Sequence, residues 1–137
     1  MYNITYQKQT RLHSPENNIF GNCMMTCYAN ILGIDVESCP RIEYLFDYKC
    51  HDEKTTFWWD VVQYFLSKYG YGSRIIQVGE ESKLPVDEFY FVIGKTNRFD
   101  GKVNHMVIYR NGELFFDPHP TGLGLIDIVE YEIILKL

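Results

Sequence analysis

The chain has 137 residues, 46% hydrophobic and 16% aromatic, with a formal net charge of -5. That length and apolar content suit one domain with one core and exclude a disordered chain; the acidic balance, without any Lys/Arg run, excludes sequence-independent binding of nucleic acid or an anionic membrane surface. No run of apolar residues is long enough to span a bilayer, and MYNITYQKQT lacks the pattern of a secretory leader, so the cytoplasm is the expected compartment.

A short strand is predicted near Ile4 to Tyr6, followed by a polar loop from Leu12 to Asn18 containing Ser14-Pro15 and Asn17-Asn18. Gly21-Asn22 then punctuates the chain. Met24, Tyr28, Ile31 and Leu32 recur at helical spacing, which predicts a helix over 23–32 with Asn22 as N-cap and Gly33 as C-cap. Ile34 to Cys39 reads as a short helical turn stopped by Pro40, and a charged stretch runs from Arg41 to Thr56. After Thr55-Thr56 a second helix is predicted, with an apolar stripe of Trp58, Val61, Val62, Phe65, Leu66 and Tyr69 that ends at Gly70. Strands follow at Arg74 to Val78, Phe89 to Ile93, His105 to Tyr109, Leu114 to Asp117 and Ile126 to Leu135. The last is a candidate sheet edge, where Glu130, Glu132 and Lys136 would discourage pairing with another chain. Helices first and strands second predict a single α+β domain over 1–137, with an antiparallel sheet packed on N-terminal helices.

Cysteines stand at 23, 27, 39 and 50 with no C-x-x-C pair, and the neighbours Cys50 and His51 do not suit one tetrahedral ion. Free thiols are therefore expected, with no metal and no cofactor. A thiol attacks only as thiolate, and Cys23 stands where unpaired amides and the helix dipole favour an anion. Cys27, a turn deeper among apolar residues, reads as a small core side chain. The base must come from elsewhere in the chain. His13 lies in a loop, His51 in the charged stretch and His119 between two prolines, whereas His105 opens an apolar strand that gives it a rigid mount. A helix-start cysteine or a strand histidine taken alone is more often structural than catalytic.

Asp117, ending the next strand, can orient His105 only in the right register. A two-residue Asn111-Gly112 turn points the two side chains to opposite sides, whereas a three-residue loop, Arg110 to Gly112 with Gly112 left-handed, pairs Tyr109 with Glu113 and His105 with Asp117. A Cys23, His105, Asp117 triad therefore predicts the three-residue loop. Gln9 and Asn17 are alternative donors to a developing oxyanion, and Asn104 is a candidate polar contact to substrate. Phe57, Trp58, Trp59, Tyr71 and Phe99 are candidate pocket walls.

The run Gly21-Asn22-Cys23-x-x-x-Cys27-x-Ala29-Asn30-Ile31-Leu32, with His105-Met-Val-Ile-Tyr-Arg-Asn-Gly and Asp117-Pro-His-Pro-Thr-Gly downstream, resembles small papain-like proteins of the NlpC/P60 and C39 type found in bacteriophages and bacteria. Asn30 stands where those proteins have a small residue. Their Gln-Thr pair is similar to Gln9-Thr10, which favours Gln9 over Asn17 for the oxyanion. The resemblance implies a papain-like fold and a cysteine peptidase or thiol hydrolase acting on an amide, peptide or isopeptide bond through a thioester. The alternative is a non-catalytic papain-fold binder, such as a phage-encoded protein in the host cytoplasm that sequesters a small molecule or blocks a host protein. The expected partner is a peptide, amide or small-molecule ligand, and the sequence leaves the oligomeric state open.

Overall fold

A computed structural model of the chain describes residues 4–17, 21–45, 57–101 and 103–137. Two α-helices and five strands lie among them: α1 (Cys23–Leu32), α2 (Phe57–Ser67), β1 (Tyr71–Gln77), β2 (Phe89–Lys95), β3 (His105–Arg110), β4 (Glu113–Phe116) and β5 (Asp127–Lys136). The strands form one antiparallel sheet in the order β1-β5-β2-β3-β4. The fold is α+β. Among the described residues no helix is long and apolar enough to cross a membrane.

Alternation along the strands builds two apolar layers. On one face Phe91, Ile93, Met106 and Ile108 pack with Met25, Tyr28, Ala29 and Ile31 of α1 and Val62, Phe65 and Leu66 of α2. On the other, Ile76, Tyr90, Val92, Val107, Tyr131 and Ile133 form a second cluster. Trp58 and Tyr71, two of the candidate pocket walls, pack against the helix-side core. Thr55, Thr56, Cys50 and His51 lie outside the described residues, as does the Phe57 side chain.

Four expectations are corrected. The predicted N-terminal strand is absent, because the buried Asn30 side chain supplies what a neighbouring strand would: its Nδ2 donates to Gln7 O at 2.9 Å and its Oδ1 accepts from Gln7 N at 2.7 Å. A small residue at this position of α1 would leave those main-chain groups without partners. The C-terminal strand is no edge, for β5 lies between β1 and β2. Its Glu132 is 1% exposed and accepts a hydrogen bond of 2.6 Å from Tyr28 Oη. Finally, Gly33 caps α1 at a φ of 71°, as its sequence position suggests, but Asn22 at the other end makes no capping bond with its side chain.

Candidate active site

α1 meets the sheet where β4 stops. Phe116 faces Ile108, so the beginning of β3 has an open edge on that side. The α1 thiols take it: Cys27 Sγ donates to Met106 O at 3.4 Å, and the Cys23 sulfur accepts from the Met106 main-chain N–H. One residue of β3, through its N–H and its C=O, thus holds two cysteines a helical turn apart, which sets Cys23 beside His105. Cys27 is fully buried with its thiol pushed up by burial, consistent with a core role, while Cys23 is partly exposed.

His105 Nε2 lies 2.6 Å from Asp117 Oδ1. This nitrogen is committed to the carboxylate, which leaves Nδ1 for the hydrogen bond His105 shares with Cys23. The expected three-residue loop is not how they meet. Arg110 faces Glu113 across a two-residue turn, with both Asn111 (φ 51°) and Gly112 (φ 80°) left-handed. The register then shifts, because Tyr109 faces Leu114 but Ile108 faces Phe116. Phe115 is the extra residue of a bulge, and that one-residue step returns Asp117 to the His105 side. Phe115 holds this position against the Phe89 ring at 4.6 Å.

The Asp117 carboxylate is fully engaged. Oδ1 also accepts from His119 N at 2.9 Å, and Oδ2 accepts from Gly124 N at 2.8 Å. Burial would raise its pKa, but the bond and charge of His105 and these two amides hold it below its usual value. The turn that carries it is clamped by the N-terminal segment: Lys8 Nζ donates to Asp117 O at 2.8 Å and His119 O at 3.1 Å, and Gln9 N donates to Pro118 O at 2.8 Å.

These contacts favour a charged pair. Burial pushes the Cys23 thiol up, but the His105 charge, the bond between them and the Met106 amide outweigh it, and the thiol lies below its ordinary value despite opposition from Asp117. Burial pushes His105 down; the Cys23 charge and the bonds to Asp117 and Cys23 raise it to about 9. Both shifts run toward Cys23 as thiolate beside His105 as imidazolium.

Gln9 is nearly buried. Its Nε2 donates to Arg11 O at 2.9 Å and lies in contact range of Gly21, two residues before Cys23, while its Oε1 has no hydrogen-bond partner. Asn17 is not brought in: it is an exposed turn residue whose Nδ2 donates to Ser14 Oγ at 2.9 Å. Asn104 is exposed just before β3.

Two further residues belong to the site. Asn22, 2% exposed, donates through Nδ2 to Thr10 Oγ1 and accepts Arg11 N on Oδ1, tying the Gln9 segment to the helix start instead of capping the helix. His119 stacks edge-on against His105 with ring centroids 6.1 Å apart. Its place in the Asp-Pro-His-Pro turn was the available signal; for Asn22, capping preference pointed to the wrong partner. Among the described residues no group of three His, Cys, Asp or Glu side chains could hold a metal ion. No protein family, curated protein or solved structure matches this chain.

Proposed function

We propose that the chain is a papain-like thiol hydrolase that cleaves an amide, peptide or isopeptide bond. The observation that carries this reading is the unbroken line of contacts from Asp117 through His105 to Cys23, at the start of a helix whose first amides Asn22 leaves uncapped. The α+β architecture is compatible with a papain-like fold.

Cys23 attacks the carbonyl as thiolate and forms a tetrahedral oxyanion. The Cys23 amide, with its position at the positive end of α1, and a Gln9 Nε2 hydrogen stabilise that charge. Collapse expels the amine, which takes the His105 Nδ1 proton, and leaves a thioester on Cys23. Neutral His105 then takes a proton from water, whose oxygen attacks the thioester; the acid leaves and the thiolate-imidazolium pair is restored. Asp117 holds the ring in one orientation throughout and supports its positive charge.

The test is alkylation of the folded protein across pH, together with a panel of acyl-aminocoumarin amides. Fast labelling of Cys23 that persists below pH 7 and is lost in His105→Ala, with more than one equivalent of coumarin released, supports the hydrolase. Labelling at the rate of an ordinary thiol sinks it, and labelling without turnover on any amide favours a binding protein.

A further inference from the structure

We infer that a cavity on the sheet face away from the helices binds a small alkylammonium cation, through the rings of Tyr90, Tyr109 and Tyr131 and the carboxylate of Glu81. The site is separate from the triad and does not depend on the thiol-hydrolase reading.

The cavity has a volume of about 310 Å³, at the small end of the roughly 300–1,000 Å³ of ligand sites. Its three tyrosines come from three neighbouring strands, β2, β3 and β5, and belong to or pack on the apolar cluster of that face. Tyr90 is central. It faces Tyr109 across the β2–β3 pair, and the Tyr109 and Tyr131 ring centroids each lie 6.2 Å from its own. The rings are inclined by 51° and 68°, so they do not close on one another as a flat stack. Along β3, Tyr109 is four residues from His105, about 13 Å of extended chain, which puts the cavity outside the contacts that join Asp117, His105 and Cys23.

The remaining wall is the β1–β2 connection, which is fastened to the sheet in two places. At one, Tyr131 Oη donates to Glu81 Oε2 at 3.0 Å. At the other, Asp87 N donates to Asn111 Oδ1 at 2.9 Å and Asn111 Nδ2 donates back to Asp87 Oδ1 at 2.8 Å. Asp87 is left-handed at φ 59°, a backbone form uncommon outside glycine, and the paired bonds hold it there. Between the two fastenings Leu84, Pro85 and Val86 line the cavity. Gly112 N donates to Tyr90 Oη at 3.0 Å, so the β3–β4 turn also sets the central ring. A frame held in this way spares a ligand the cost of ordering it.

The charge of the walls selects the ligand. Glu81 is the one charged side chain among the described residues that line the cavity, and none of them is Lys or Arg. The Gly79 amide, its own amide and the Tyr131 hydroxyl hold the Glu81 carboxylate below its usual pKa, which keeps it ionised. The cations close by in sequence are turned to other partners: Lys83 pairs with Glu80, and the Arg110 guanidinium lies 5.5 Å from the centroid of Phe89, which packs on the helix-side core. A neutral apolar ligand would take water from the carboxylate and give nothing in exchange. A hard metal ion would find one carboxylate among aromatic rings where it needs several oxygens. An alkylammonium supplies both complements, a positive charge for Glu81 and a weakly hydrated surface for the rings.

Choline and the neutral isostere in which carbon replaces its quaternary nitrogen share a shape and differ in charge, so their relative affinity reads the site. Each is titrated into the isotope-labelled whole protein and followed by the NMR amide signals of Tyr109, Gly112 and Ile128. Choline should shift these signals and bind about fivefold or more tighter than the isostere. Glu81→Gln keeps acceptors for Gly79 N and Tyr131 Oη; it should weaken choline about threefold or more and leave the isostere within about twofold. Tyr109→Leu should weaken choline, and Tyr109→Phe should keep it. A trimethyllysine peptide that binds tighter than choline assigns the cation to a protein side chain, and the reverse order assigns it to a free small molecule; either order supports the site. Equal affinity for choline and the isostere, or choline binding unmoved by Glu81→Gln, overturns the cation site, as does the absence of any shift with choline. Choline binding should survive alkylation of Cys23, and its loss on alkylation would move the cation to the triad and overturn this cavity.

Discussion

His105 and Asp117 lie 2.6 Å apart at their nearest polar atoms, although the two-residue turn between them has the register that would separate them. Phe115 resolves the conflict as the extra residue of β4. Without it the carboxylate would project from the opposite side of the hairpin, because strand side chains alternate with a period of two. Deleting Phe115 is therefore expected to leave a two-residue hairpin and remove the dyad. Iodoacetamide labelling of Cys23 at pH 6 should slow about tenfold or more, the effect of about one unit of pKa. Labelling at the parent rate would show that the bulge does not set the register that matters.

Asp117→Ala is expected to lower the His105 pKa. In the intact protein His105 is raised to about 9, with the Asp117 bond and charge among the causes. A raised histidine holds its proton in the folded state up to about pH 9, so its contribution to stability is complete below the ordinary histidine value of 6.5 and is lost as pH rises through 9. Cys23 runs the other way: its lowered pKa gives stability present above the ordinary thiol value and lost as pH falls through the folded one. NMR titration of the His105 ring should show the midpoint fall by about one unit or more in the variant. A midpoint that stays near 9 would remove Asp117 from the role of orienting partner.

Glu132→Gln is expected to stabilise the protein at pH 8 and not at pH 4. Burial raises Glu132 to about 7, against the bonds from Tyr28 and Ser73 that favour its charged form. Between about 4.5 and 7 the folded state keeps a proton that the unfolded chain releases, so stability falls with rising pH over that window. A glutamine keeps an acceptor for Tyr28 Oη without a buried charge. The gain at pH 8 should be about 2 kcal/mol, read from urea unfolding. Equal effects at both pH values would mean that the carboxylate is not charged at this site.

Gly94→Ala is expected to destabilise the sheet next to the site. A Cβ there would stand 2.1 Å from Asp127 O, a main-chain atom of β5 at the register shift between Ile93 and Gly94. Backbone must move to admit it, at a cost of roughly 1–3 kcal/mol or more, and His105 lies directly across from this position. Thermal unfolding gives the cost, and the His105 titration reports whether the displacement reaches the site.

Much of the architecture was legible from periodicity. α1 spans the predicted 23–32, and the strand at Phe89 to Ile93 needed only small extension. β1 begins at Tyr71, three residues before its predicted start, because Ser73 N donates to Gln63 Oε1 of α2 and draws the chain into the sheet early. Periodicity cannot see such a partner ten residues away. Nor could it place Glu132 or Asn30. Both are polar residues in the interior, where one distant hydrogen-bonding group decides whether burial is tolerated.

The sequence by itself determined the local elements and nominated Cys23, His105 and Asp117, because helix starts, strand alternation and side-chain chemistry are written in neighbouring residues. Tertiary structure alone decided that they touch. The bulge at Phe115, the Met106 main chain shared by two thiols, and the Lys8 clamp on the Asp117 turn each join residues far apart in the chain or depend on a one-residue shift. A turn sequence permits more than one register, and only packing across the sheet, here Phe115 against Phe89, selects among them.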